Sequence, residues 1–285
     1  MIVHLVDGTY ELFRCYYGNK KSAQPDDGRG AVRLVLNTLL QMVEEGATHL
    51  GVATDHVIES FRNALWPDYK TGDGVEPALL AQFHPLEEAL AAFGFAVWPM
   101  VALEADDALA SAAAAAVIAP EVEKVCIWTP DKDLAQCVVK DRVVQVDRRG
   151  GHIRDEAGVR TKFGVSPSSI PDYLALVGDG ADGYPGIPGW GARSTASTLV
   201  RHGHLENIPL DEINPRLAES LRSNWDRALL FRKLATLRTD ARLFDSVEAL
   251  RWKGPRAGAA SVAASMKAAT LLQRAERLAG RMTGG

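Results

Sequence analysis

Lys124-Val125-Cys126-Ile127-Trp128-Thr129-Pro130-Asp131-Lys132-Asp133 is the stretch on which the fold turns: an apolar, β-branched run of strand length that runs into two carboxylates. The same event recurs. Ile2–Val6 ends at Asp7 and His49–Thr54 at Asp55, while Phe95–Pro99 leads to Glu104, Asp106 and Asp107 at the start of an alanine-rich segment. Arg142–Val146 is a further strand-like run. Helical patterns over Ala31–Glu45, Pro77–Phe93 and Asp106–Ala119 separate the first four runs, so the reading is an α/β architecture with a mostly parallel sheet covered on both faces. After about Asp155 the strand signal fades. Helical segments at Glu156–Phe163, Ser168–Leu176, Arg193–His202 and Pro215–Leu237 take over, dividing the chain into an α/β part over 1–160 and an all-α part over 161–285.

The 285 residues are 47% hydrophobic and 24% charged, which excludes a disordered or fibrous polymer and leaves ample material for a buried core. Three cysteines, Cys15, Cys126 and Cys137, are odd in number and lack paired spacing, so neither a disulfide framework nor a structural zinc site is expected, and a reducing cytoplasmic setting fits. Met1 to Asp7 reaches a carboxylate too early for a signal peptide, and the alanine-rich run Leu109–Ala119 is far short of a membrane span. The formal charge of −4 argues at first against a nucleic-acid partner, but the charges are segregated. From Arg251 onward there are seven basic residues against the single acid Glu276. A solvated helix face with a frayed tail and a tail that touches nucleic acid both account for that imbalance.

In an open α/β sheet the carboxyl ends of parallel strands share one edge, where ligands bind. Seven carboxylates (Asp7, Asp55, Glu104, Asp106, Asp107, Asp131 and Asp133) would converge there. Taken singly, each is equally a helix cap or turn former. Together they repel one another and require cations. Hard oxygen-seeking Mg²⁺ meets that need, and two such ions can activate water and stabilise the entering and leaving oxygens of a phosphodiester displacement.

A second signal is the glycine-rich turn from Gly178 to Ala196, which carries Asp179 and Asp182 and then no acid from Gly183 to Leu205. Arg193, Arg201, His202 and His204 make that stretch locally basic. Its glycines can bring backbone N–H groups and a helix N-terminus against a phosphate, a grip indifferent to base sequence. An ordinary Gly/Pro turn is the alternative.

These residues together resemble the bacterial 5′–3′ exonuclease and flap endonuclease family, which includes the N-terminal nuclease domain of DNA polymerase I and free-standing relatives. The resemblance runs from Ile2 to about Leu243 through Val6-Asp7-Gly8, Arg14, Asp55, Phe61-Arg62, Tyr69-Lys70, Glu104-Ala105-Asp106-Asp107, Thr129 to Leu134, the Gly178–Ala196 turn and Leu237-Arg238-Thr239-Asp240. It implies a PIN-like nuclease core with an arch or clamp near 62–90, a helix-three-turn-helix DNA-binding element over about 168–203, and a basic C-terminal helix. It implies metal ligation by Asp7, Asp55, Glu104, Asp106, Asp107, Asp131, Asp133, Asp179 and Asp182, with two Mg²⁺ or Mn²⁺ ions as cofactor. Arg62 and Lys70 match residues that engage the scissile phosphate, and a planar guanidinium makes loss of Arg62 the more damaging. The alternatives are a surface residue capping the helix that starts near His56 for Arg62 and a solvated loop lysine for Lys70. Arg14, Tyr69, Gly186, Gly189, Gly191 and Arg193 are the expected DNA contacts, Tyr69 by stacking on a base unless it packs in the core.

The implied partners are DNA 5′ ends, flaps and nicks in replication and repair, with a separate DNA polymerase beside them and neither membrane nor nucleotide cofactor. Three departures from the family pattern stand out: Asp73 where a base follows Tyr-Lys, Gly183 where an Asn is common, and Arg193 where a Lys is usual. A PIN-type ribonuclease, or RNase H-like action on hybrids, shares the carboxylate logic. A catalytically weak structure-specific DNA-binding protein is the reading from another class.

Overall fold

A computed structural model describes residues 1–19 and 27–283. Six strands, β1 (Ile2–Asp7), β2 (His49–Asp55), β3 (Ala96–Met100), β4 (Lys124–Trp128), β5 (Val143–Asp147) and β6 (His152–Arg154), form one sheet in the order β3-β2-β1-β4-β5-β6. The first five are parallel and β6 closes the edge antiparallel. The apolar runs ending in acids are therefore parallel strands as expected. β6 carries no apolar run and is largely exposed, so nothing in its composition marked it.

The helices are α1 (Gly8–Asn19), α2 (Gly30–Glu44), α3 (Phe61–Leu65), α4 (Pro77–Leu80), α5 (Phe83–Ala92), α6 (Ala105–Val117), α7 (Glu156–Phe163), α8 (Ile170–Val177), α9 (Ala192–His202), α10 (Pro215–Ser223), α11 (Trp225–Ala235), α12 (Ala259–Ser265) and α13 (Ala269–Thr283). Two expected helices divide. Continuing α4 to Phe93 would put Pro85 in a helix interior, where it lacks the N–H owed to the Ala81 carbonyl; restarting at Phe83 puts it in a first turn, where none is needed. The 215–237 pattern breaks at Asn224, whose N–H bonds the Leu221 carbonyl.

Strand alternation sorts the sheet into two faces. Val3, Leu5 and Ala53 pack with α6, whose run of alanines permits close approach, while Val6, Leu50 and Val52 pack with α1, α2 and α5. A further core joins α7 to α11 and draws in Leu65, Trp66 and Tyr69 from the first half. The all-α part does not stay together. Leu237, Val247 and Leu250 return to the α6 face, and Trp252, Ala275 and Leu278 join the α1/α2/α5 face. Arg274 on α13 bonds Asn37 and Glu44 of α2. The basic C-terminal helix is thus docked on the α/β core and is not a frayed tail. No described helix is long and apolar enough to cross a membrane.

Trp252 anchors that return: it is 1% exposed, stacks on Phe95 at 5.9 Å and donates its Nε1–H to the Phe93 carbonyl at 2.9 Å. Trp252→Ala is expected to lower unfolding free energy by about 3–5 kcal/mol in equilibrium urea denaturation. A loss well below about 1 kcal/mol would show that the C-terminal return adds little to the core.

Candidate metal centre at the carboxyl end of the sheet

The strand order reverses between β1 and β4, so the crevice at their carboxyl ends is the switch point of the sheet. Asp7 stands at the end of β1 and accepts hydrogen bonds from the Tyr10 amide (2.8 Å) and the Thr129 hydroxyl (3.0 Å). Asp55, at the end of β2, accepts from the Ala105 amide at the start of α6 (2.8 Å). The loop after β4 is shaped by Asp131 itself, whose Oδ1 accepts the Asp133 amide (2.8 Å), and by Gln145, which donates to the Asp131 carbonyl (2.6 Å). Asp106 rises from the first turn of α6.

These groups load one another with charge. Burial, and then repulsion from Asp55 and Asp131, pushes the Asp7 carboxyl up to about 7 despite its two donors. Burial followed by the charges of Asp131 and Asp7 raises Asp106 well above the ordinary range, and burial also raises Asp55.

The glycine-rich turn brings a second group to the same edge. Ligand atoms of Asp133, Asp179 and Asp182 all lie within 4.8 Å of one another. Asp133 is 6% exposed, its Oδ1 is buried without a hydrogen-bond partner, and burial with repulsion from Asp131, Asp182 and Asp179 lifts its carboxyl well above normal. An orphaned buried carboxylate oxygen among other acids is costly unless a cation completes it, so the residues present fit a divalent ion. Two lysines already offset part of this charge. Lys70 spans Glu104 (2.9 Å) and Asp182 (3.2 Å), and Lys132 pairs with Asp179 (2.5 Å). Lys132, Thr129, Gln145 and Ser60 carried no role in the sequence reading; the position of Lys132 between Asp131 and Asp133 was the available signal.

Three expected site residues are corrected. Asp107 is fully buried and its oxygens accept both Arg62 Nη atoms (2.7 and 2.8 Å), the Glu104 amide (3.0 Å) and the Arg238 amide (2.9 Å), leaving no lone pair directed at a metal. Arg62 is 1% exposed and donates in addition to the Leu234 carbonyl (2.8 Å), so it ties α6 to the end of α11 and cannot meet a phosphate. Tyr69 is 3% exposed, packs in the α7–α11 core and donates to Glu104 (3.3 Å), so it is no stacking platform. Glu104 lies beside the cluster, but Ser60, Arg62, Lys70 and Tyr69 share its oxygens; burial raises its carboxyl, and the two cations outweigh burial and hold it low.

The segment expected as an arch or clamp near 62–90 is helical at α3, α4 and α5 and non-helical over 66–76. Between α3 and α4 the chain runs as turns whose start is docked on the glycine-rich loop: Trp66 donates to the Gly183 carbonyl (3.0 Å) and the Lys70 amide to the Asp182 carbonyl (3.1 Å). Gly183 has φ +81°, and a Cβ there would sit 1.9 Å from the Asp68 carbonyl oxygen, which accounts for glycine at this departure from the family pattern. Gly186 is as constrained, its Cβ position 2.4 Å from the Gly178 nitrogen, so its role is loop packing. Gly189 (φ +83°) and Gly191 lead into α9, where Arg193 is exposed in the first turn. Arg14 is partly exposed and paired with Glu11. His204 is paired with Asp172 (2.8 Å), which narrows the basic lobe to its arginines and His202.

An open α/β sheet whose switch point gathers acids around an unsatisfied carboxylate has the donor set of a divalent-cation site. The class is made specific by comparison: the chain belongs to the 5′–3′ exonuclease family, whose N-terminal resolvase-like domain matches residues 2–164 and whose C-terminal SAM fold matches residues 165–258. DNA polymerase I of Bacillus caldotenax is 32% identical over 264 residues, 88% of this chain and 29% of that protein. DNA polymerase I of Pseudomonas aeruginosa is 32% identical over 262 residues, 86% and 28% respectively. The chain thus spans under a third of the length of these relatives. Among solved structures, T5 5′-exonuclease with bound zinc matches at a TM-score of 0.68 with 16% identity over 98% of both chains. The catalytic core of Rad2 in complex with DNA substrate matches at 0.61 with 13% identity, over 96% of this chain and 91% of that one. These two likenesses show a shared fold.

The raised acids give metal-free stability a definite pH slope. Between the ordinary Asp value of 3.8 and about 7, folded Asp7 keeps a proton that the unfolded chain releases, so stability falls as pH rises through that window and the repulsion is fully present above it. A cation bound to the ionised cluster offsets that loss. Mg²⁺ is expected to raise the thermal midpoint more at about pH 8 than at about pH 5 in calorimetry at fixed ionic strength, and equal shifts would uncouple the cluster from the cation.

Proposed function

We propose that the chain is a divalent-metal-dependent 5′–3′ exonuclease and 5′ flap endonuclease that hydrolyses DNA phosphodiester bonds in replication and repair. The observation that carries this reading is the buried, partnerless Oδ1 of Asp133 within 4.8 Å of ligand atoms of Asp179 and Asp182, at the same sheet edge as Asp7, Asp55, Asp106 and Asp131. On this reading Asp7, Asp55, Asp106 and Asp131 would hold one Mg²⁺ or Mn²⁺ and Asp133, Asp179 and Asp182 would hold a second, with Glu104 beside the cluster. Bound there, such ions would supply Lewis-acid neutralisation of the phosphate and lower the pKa of a water.

The chain's own residues do the rest. The Thr129 hydroxyl and the Tyr10 and Ala105 amides fix carboxylate directions before substrate arrives. Lys70, 31% exposed and shared between two acids, is a cation able to swing from Glu104 or Asp182 to an incoming phosphate while the other contact holds it near. The Gly189–Arg193 entry to α9 offers an exposed helix N-terminus and a guanidinium to the duplex backbone. The DNA substrate named for the Rad2 core supports this assignment of substrate, and the DNA polymerase I relatives support a DNA polymerase as partner.

Asp131→Asn is expected to reduce cleavage of a 5′-labelled flap to background in Mg²⁺ or Mn²⁺ while leaving flap binding intact. Equal cleavage by the variant would sink the assignment, and metal-dependent cleavage confined to a matching RNA strand would move the substrate to RNA. Arg193→Ala is expected to weaken binding to all duplex sequences alike and to lower the salt slope by about 1; a loss confined to some sequences would contradict backbone contact.

A further inference from the structure

A second group of metal-type ligands lies on the other face of the sheet. Asp55 points toward α6, where it meets the Ala105 amide, whereas its neighbours Thr54 and His56 point toward α5, where they meet Glu87. His56 Nδ1 stands 2.8 Å from Glu87 Oε2, and His84 Nδ1 stands 3.7 Å from the same oxygen. The two imidazole rings meet edge to face at 4.3 Å, and one ligand atom from each of the three residues falls within 4.8 Å of the others. We propose that His56, His84 and Glu87 form a binding site for a zinc-class transition-metal ion, independent of the carboxylate centre.

Donor chemistry, geometry and support agree on this. Two imidazoles and one carboxylate are the donors of an open three-ligand zinc site, and they favour Zn²⁺, Co²⁺ or Ni²⁺ over Mg²⁺. Bonds of about 2.0–2.1 Å in a tetrahedron put ligand atoms roughly 3.3 Å apart, inside the range spanned here, so modest rotation of exposed His84 completes the triangle. His84 and Glu87 sit three apart on α5 and therefore share a helix face. Glu87 is already oriented: the buried Thr54 hydroxyl donates to Oε1 (2.9 Å), leaving Oε2 for the ion, as outer partners of metal-bound carboxylates do. The His56 side chain is 36% exposed and that of His84 64%, so the ion has an entry path and solvent takes the fourth position. An ion bound there would pin the chain after β2 to α5.

The test is Co²⁺ titration of the whole protein in excess Mg²⁺, which fills the carboxylate centre, read by the visible absorption of tetrahedral Co²⁺ and its displacement by Zn²⁺. The expected result is one equivalent of Co²⁺ with that spectrum. It should be lost in His84→Ala, whose exposed side chain leaves the fold intact, and in Glu87→Gln. Thr54→Val should weaken Co²⁺ binding on the order of 10- to 100-fold. The combined Asp179→Asn and Asp182→Asn variant should keep the full signal. Absence of the spectrum in the unaltered protein, its persistence in His84→Ala, or its loss in the Asp179/Asp182 variant would each overturn the proposal.

Discussion

Everything at the carboxyl edge of this protein is governed by the repulsion among acids that the parallel sheet forces together. Parallel strands must end on the same side, so a chain that closes β1, β2 and β4 with aspartates cannot keep those charges apart. Solvent does not screen them, because Asp7 and Asp133 are buried. The fold counters with cations drawn from elsewhere: Lys70 from the segment after β2, and Lys132 from within the β4 loop itself. Neither satisfies Asp133. The residual deficit is of the kind a divalent cation would offset.

Arg62 shows how the same repulsion is used to build the protein. Its guanidinium bonds Asp107 with both Nη atoms and reaches the Leu234 carbonyl, joining α3, the start of α6 and the end of α11. A fully desolvated pair of this kind adds little over an apolar contact while intact, but removing one partner typically costs about 3–5 kcal/mol. It also draws Asp107 into the interior while its neighbour Asp106 remains with the carboxylate group. Adjacent acids on one helical turn therefore serve different ends, because successive helical positions face different directions.

Much of this was legible in residues. Strand runs ending in acids revealed the parallel sheet and most of the carboxylate group, since a β-branched run and a terminal aspartate are both local signals. The Gly178–Ala196 turn was legible for the same reason. What was not legible depends on who faces whom. Arg62, Tyr69 and Asp107 are the residue types a phosphate and metal site would use, and only long-range packing reveals that Arg62 bonds Asp107 and Tyr69 bonds Glu104 in the interior. Gly183 read as a departure until the Asp68 carbonyl was placed against it. His56 is separated in sequence from His84 and Glu87, and no spacing rule joins them. The C-terminal basic residues left both a solvated face and a nucleic-acid contact open, the solvated face first; the docking of Arg274 on Glu44 is a tertiary fact.

Charge segregation acquires a functional meaning from these placements. Arg274, Arg232 and His204 are held in internal pairs with Glu44, Glu206 and Asp172, which leaves Arg193 and Arg201 exposed beside the glycine-rich turn. A polyanion approaching this surface meets a modest attraction at α9 and strong repulsion at the sheet edge, where acids outnumber Lys70 and Lys132. On the proposed function, duplex contact and seating of a phosphate would be electrostatically separable: the first would draw on exposed arginines, and the second would require cations to reverse the sign of the field at the edge. On the proposed function a mildly acidic chain would act on a polyanion without adhering to it broadly, because attraction away from a bound cation would be confined to the exposed arginines of α9.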